Sequence, residues 1–351
     1  MKSEQNRSYY IDFLKFIFSF IIVVYHSHVF SSGFGHGIFN HGYYAVDFYF
    51  IVTGYLMMNS IYKEKEPKES IGEQTFTFIK NKIKKLLPNL IFSFIIGYIL
   101  IYKDTLSTIS RLFSDFILSE FLQLSILDYP MSINTSWWYI SSMIIVLMLL
   151  YPFAKKKKDF SYLICPIIIV FSIAYIRNNN ISVNDPIASV GIFKNGFYKA
   201  LIFIPLGAIC YEFSNYVRNL NLNQNKRILI SIFETLSYMF LIYNMHFLKV
   251  GSIFIAVLFT INIAITFSNQ SYIAQIFKSN VWQKLGQFGF IMFLNNCAIR
   301  KVLLTKNYGL SYKKMLLVFV IIVITISLIQ YIMVEIFWNE NKKRKLKKKK
   351  S

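Results

Sequence analysis

Long apolar runs alternate with short charged patches along the whole chain. Ten runs stand out, at about 9–31, 43–61, 86–102, 137–154, 160–176, 197–213, 228–245, 250–267, 285–303 and 315–338. Each is close to the roughly 17–25 residues that a helix needs to cross a bilayer, where every backbone polar group must be satisfied inside the segment. The pattern predicts an all-α fold, a polytopic integral membrane bundle of about ten transmembrane helices. The first run is too long for a cleaved leader, carries Asp12 and Lys15, and is followed by no small-residue cleavage site. Residues 1–341 are expected to form one membrane domain and residues 342–351 a basic cytoplasmic tail.

Composition narrows the class further. The 351 residues are 55% hydrophobic and only 16% charged, against about 25% charged in a soluble domain, which leaves no room for a sizeable soluble catalytic unit. A net charge of +21 would suit a nucleic-acid partner, but the basic residues gather at Lys80 to Lys85, Lys155 to Lys158 and Lys342 to Lys350. With alternate loops assigned to alternate sides, more than twice as many Lys and Arg fall on the side of the two termini. This positive-inside bias predicts both termini in the cytoplasm of a multi-pass plasma-membrane protein, the tail lying on anionic membrane lipids, with no nucleic-acid role. Cys165, Cys210 and Cys297 are widely spaced in apolar sequence and read as small buried hydrophobes, forming neither a disulfide framework nor a metal site.

Ionisable residues inside membrane spans are costly and mark functional sites by default. In the first span Asp12, Lys15, Ser19 and His26 project at about 0°, 300°, 340° and 320°, one stripe about 60° wide on an otherwise apolar helix. The stripe should face the bundle interior and line a polar path about 21 Å long between Asp12 and His26. Asp12 and Lys15, three residues apart, can also simply pair. Four of the five histidines, His26, His28, His36 and His41, lie close together around a glycine-rich stretch. Their spacing fits no standard metal-ligand pattern, and His26 is better suited to a general base, since imidazole titrates near neutrality. In the second span Asp47 and Gly54 share a face, and Gly54 should permit close helix approach. Glu234 is a lone carboxylate in the seventh span. Gly289, Asn296 and Arg300 form a second polar stripe in the ninth. The basic segment Lys80 to Lys85 before Pro88 reads either as a topology signal or as a site for a phosphate-bearing donor at a helix start.

These residues carry a resemblance. The chain resembles the membrane-bound acyltransferase family 3, the bacterial O-acyltransferases of surface polysaccharides. YYIDFLKFIFSFIIVVYHSH places Asp12, Lys15 and His26 where the family has Ile-Asp-x-Leu-Arg and, eleven residues later, histidine. YYAVDFYFIVTGYLM is similar to the Gly-Val-Asp-x-Phe-Phe-x-x-Ser-Gly-Phe stretch through Val46, Asp47, Phe48, Phe50, Thr53 and Gly54. Lys82 and Lys85 stand before Pro88 at the place of a paired-arginine motif, Trp138 to Ser141 resembles the tryptophan motif, and LGQFGFIMFLNN resembles the late Leu-Gly-x-x-Ser-Tyr segment. Lysine replaces arginine at 15, 82 and 85, Met143 stands where many members have glutamate, and Asn296 where many have histidine.

The resemblance implies transfer of an acyl group, commonly acetyl, from cytoplasmic acyl-CoA to a hydroxyl of a glycan or lipid-linked glycan outside. No permanently bound cofactor is expected; acyl-CoA is the donor substrate. The catalytic candidates are His26, Asp12 and Asp47, and the donor-binding candidates Lys15, Lys82 and Lys85. His26 would either deprotonate the acceptor or take the acyl group itself. Some members carry an extracellular esterase-like domain; this chain would act alone or with a separate extracellular transferase partner. The competing reading is a polysaccharide exporter, flippase or polymerase, equally polytopic and polar-lined but without acyl transfer.

Overall fold

The computed structural model describes residues 8–31, 37–63, 69–101, 116, 133–157, 159–247, 250–305 and 308–348, with side chains described as far as Phe337. Among these residues ten helices carry the fold: α1 (Tyr9–Tyr25), α2 (Ala45–Lys63), α3 (Ile71–Ile101), α4 (Trp138–Lys156), α5 (Cys165–Asn178), α6 (Asn195–Arg218), α7 (Gln224–His246), α8 (Ser252–Ser268), α9 (Asn280–Leu304) and α10 (Tyr312–Lys348). Each apolar run of the sequence falls on one of them. A two-residue hairpin, Ser189–Val190 against Phe193–Lys194, leads into α6.

Seven helical stretches are long and apolar enough to cross a membrane, and the helices below that mark are α2, α8 and α9. The reason for α2 is its position. From Ala45 to Met58 every residue except Tyr49 and Leu56 is buried against other helices, so this helix meets little lipid and tolerates polar side chains. The periphery is the reverse, with Val170 and Phe171 of α5, Leu236 and Met239 of α7, and Leu317 and Ile336 of α10 exposed. That distribution suits a hydrocarbon solvent. The chain is a multi-pass, all-α membrane bundle.

One expectation changes. The segment Lys80 to Lys85 lies well inside α3 and not at a helix start, because α3 begins at Ile71. Its start is a reciprocal cap: Glu73 N donates to Ser70 Oγ at 3.3 Å, and Ser70 N donates to Glu73 Oε2 at 2.9 Å. This capping box was readable in Ser70-Ile-Gly-Glu73. Pro88 sits inside α3 without ending it, which a membrane helix tolerates when neighbours satisfy the freed backbone groups.

Two seams position the functional residues. In the first, α2 and α6 run parallel and nearly touch by their backbones. A Cβ added at Gly54 would collide with the Ile204 carbonyl oxygen, and one at Gly207 with that of Ile51. In the second, α1 and α9 run parallel: a Cβ at Gly286 would lie 2.8 Å from Asp12 O, and one at Gly289 would lie 3.0 Å from Phe16 Cα and 3.1 Å from Ser19 Cβ. Where lipid gives no hydrophobic drive between helices, such close approach is what small residues supply. The end of the bundle where α1 starts is called the near end below, and the end where it finishes the far end.

Candidate active site

The Asp12–His26 stripe faces the interior, as its helical spacing requires. It does not line an open path along its length, because α9 lies directly on it at Gly286 and Gly289. At the near end Lys15 Nζ pairs with Asp12 Oδ1 at 3.2 Å. Midway, Ser19 Oγ meets the Tyr49 hydroxyl at 2.6 Å, and Tyr49 OH also donates to the Lys15 carbonyl. A second hydroxyl pair continues inward from there, Thr53 Oγ1 and Tyr139 OH at 3.3 Å, with Met143 Sδ 3.7 Å from Thr53 Oγ1.

The far end holds His26. His26 follows the last α-helical residue of α1 and opens a 3-10 turn, His26–Phe30, but its backbone N–H still donates to Ile22 O. The imidazole therefore keeps the helical register of the stripe. Its Nδ1 lies 2.5 Å from Asn296 Oδ1 on α9, and Asn296 Nδ2 donates to Phe293 O at 2.5 Å. The second contact decides the first. A carbonyl oxygen only accepts, so the NH2 of Asn296 must point at Phe293, and Oδ1 must face His26. Oδ1 accepts only, so Nδ1 carries the ring proton and Nε2 keeps its lone pair. This leaves Nε2 as base or nucleophile, held by one amide.

The other described histidines serve the local backbone and ring contacts. His28 Nδ1 lies 2.7 Å from Tyr25 O, His41 Nδ1 3.1 Å from Tyr43 OH, and His246 Nδ1 accepts from Phe39 N at 3.1 Å. His36 lies outside the described residues.

The catalytic candidates are not brought to one point. Asp12 is paired at the near end, about 21 Å along the helix from His26. Asp47 is buried on the α2–α6 seam, with Lys199 Nζ 2.8 Å from Oδ1 and both side chains 1% exposed. Lys199 is the main site-region residue that sequence reasoning missed. Its signal was plain, a lysine inside an apolar run, and Asp47 of the span facing it was already singled out.

Of the donor-side candidates, Lys82 is half-buried and Lys85 exposed. The charges of Lys15 and Lys85 both reach Lys82, so α1 and α3 bring three ammonium groups together at the near end. Glu234 is fully buried near that end too, hydrogen-bonded by Thr266 and in electrostatic reach of Tyr10 and Tyr238. It belongs to a buried polar cluster with Thr266 and Tyr238, away from His26. A shallow concavity lined by Glu69, Gly72, Glu73, Phe76 and Thr77 lies at the start of α3 and includes none of the candidates.

The profile of the acyltransferase domain family matches residues 8–335, nearly the whole chain. The chain belongs to acyltransferase family 3. No curated protein and no solved structure matches it. As a membrane acyltransferase of that family, the chain gives its two main departures definite surroundings. Asn296, where many members have histidine, is the group that orients His26. Met143, where many have glutamate, packs on Thr53 beside Tyr139. An amide thus fills the orienting place without adding a second titratable ring.

Proposed function

We propose that this acyltransferase moves an acyl group, acetyl in the simplest case, from cytoplasmic acyl-CoA to a hydroxyl of a cell-surface or exported polysaccharide. The observation that carries the reading is the single oriented imidazole, His26 on Asn296, at the far end of a stripe whose near end gathers Lys15, Lys82 and Lys85. The near end is the cytoplasmic one in this reading, with both termini there, in keeping with the excess of Lys and Arg on that side. Lys82 and Lys85, with Lys15 behind them, hold the phosphates of the donor as point charges. Since α9 covers the stripe itself, the donor's arm runs beside it, past the hydroxyls of Tyr49, Tyr139 and Thr53.

At the far end the acceptor hydroxyl gives its proton to His26 Nε2 as its oxygen attacks the thioester carbonyl. The tetrahedral adduct loses the CoA sulfur, which takes the proton back from Nε2. His26 is neutral before and after, and in between Asn296 Oδ1 accepts from the Nδ1–H of the imidazolium. In a two-step variant Nε2 attacks the carbonyl and CoA leaves as the thiolate, giving an acyl-imidazolium; the acceptor oxygen then displaces the acyl group from the ring, its proton passing to the thiolate and the ring returning to its neutral form. Both use the same atom. Trapping an acyl-imidazole after mixing with donor alone separates them.

The test is the surface glycan of a deletion strain. Mass spectrometry should find its ester-linked acyl groups missing while its amount is unchanged, and the full-length chain supplied in trans should restore them. Loss of the glycan itself, with acyl content per residue intact, would replace this reading with export or polymerisation.

A further inference from the structure

Arg300 is the one residue of the second polar stripe that the reaction above leaves unused. It lies on α9 one turn beyond Asn296, on the same face, and about 6 Å further toward the far end. An acceptor arriving from that side therefore meets Arg300 before His26. The residue is half-buried, and its Nε is buried with no hydrogen-bond partner. Among the described residues no carboxylate forms an ion pair with it; the pairs of the interior are Lys15 with Asp12 and Lys199 with Asp47. Asp185, whose charge also reaches Tyr25, does not pair with it.

Arg300 lies within electrostatic reach of the site. Its charge reaches His26, His28 and Tyr25 on the first helix and its turn, and Cys297 on its own helix. On α10, Met315 and Phe319 share an apolar cluster with Ile299 and Leu303, which flank Arg300 in sequence. A half-desolvated cation without a counter-ion is costly, and a planar fork of donors is matched by a carboxylate or a phosphate. None of the described carboxylates supplies the anion, and the donor's phosphates are assigned to the opposite end, which points to the acceptor.

We propose that Arg300 receives an anionic group of the acceptor, carboxylate or phosphate, and so directs acyl transfer to acidic glycans. The proposal rests on His26 being the group that meets the acceptor hydroxyl. The anion would sit about one turn of helix outward of the reacting oxygen, the distance of a substituent on the same or the neighbouring sugar.

The experiment uses the full-length chain in liposomes with acetyl-CoA and three small acceptors sharing the same ring hydroxyls. These are methyl xyloside, which is neutral, methyl glucuronoside, which bears a carboxylate, and methyl glucoside 6-phosphate. In the wild type at least one charged acceptor should have a kcat/KM about 10-fold or more above that of methyl xyloside, through KM, and which one it is names the source of the anion. Arg300→Gln should bring the ratio to about one, and Arg300→Lys should leave it in between. A wild-type ratio of one for both charged acceptors would overturn the proposal, as would an Arg300→Gln variant that loses all three acceptors equally. Thermal unfolding in detergent with glucuronate or inorganic phosphate reads binding without turnover. Stabilisation lost in Arg300→Gln, in protein that transfers no acyl group, would keep the anion site and sink the acyl-transfer reading. Transfer with neither preference nor stabilisation would do the opposite.

Discussion

Asn296→Ala removes the one side chain that sets the tautomer of His26. In the resting site the Nδ1–H loses its acceptor, the Oδ1 atom 2.5 Å away. During transfer the loss is greater, because the ring then carries a full charge and the bond to Oδ1 becomes charge-assisted. Such bonds contribute about 1.5–3 kcal/mol, and only the part that grows in the transition state slows the chemical step. The expected fall in kcat is therefore roughly 10- to 100-fold, with little change in the KM for donor. Asn296→Asp keeps an acceptor in the same place and should retain far more activity than the alanine variant. The assay is initial-rate acyl transfer in liposomes, with thermal unfolding in detergent to show that both variants remain folded. A folded Asn296→Ala protein with wild-type kcat would refute the orientation argument, because nothing else among the described residues fixes which ring nitrogen is free.

Other outcomes follow from the seams and the near end. Gly207→Leu should be poorly tolerated, since the first atom of any side chain meets the Ile51 carbonyl and overpacking costs about 1–3 kcal/mol or more; a normal melting temperature would contradict the seam. Lys199→Met leaves the Asp47 carboxylate buried without its cation and should cost about 3–5 kcal/mol, while Asp47→Leu with Lys199→Met should recover most of it; equal thermal stability of wild type and the single variant would count against the pair. Replacing Lys82 and Lys85 together by alanine should raise the KM for acyl-CoA at normal membrane abundance, whereas arginine at both should be accepted; unchanged donor dependence would reduce the segment to a topology signal.

The ten helices were legible because lipid imposes one rule on every span, a run of about 20 apolar residues. The rule misplaced the start of α3, about the first four turns of which lie before the apolar run; there the capping box at Ser70 was the better guide. The stripe on α1 was legible from helical spacing alone, and Gly54 from its place among large residues. What spacing cannot give is the partner across a seam. Asn296 was visible as a departure from the family pattern, but its role appeared only when α9 was seen to run parallel to α1 with Gly286 and Gly289 at the contact. Lys199 and Asp47 lie far apart in sequence; Asp47 stood out alone, and Lys199 was passed over until the α2–α6 contact joined them.

The most direct test of the account is single-turnover acyl transfer by His26→Ala beside His28→Ala in the same liposomes. His26 supplies the only lone pair that Asn296 orients, whereas His28 is taken up by the Tyr25 carbonyl. The account predicts a loss of at least about 100-fold for His26→Ala, the usual contribution of a general base, and a much smaller loss for His28→Ala. Transfer at the wild-type rate by folded His26→Ala protein would contradict it.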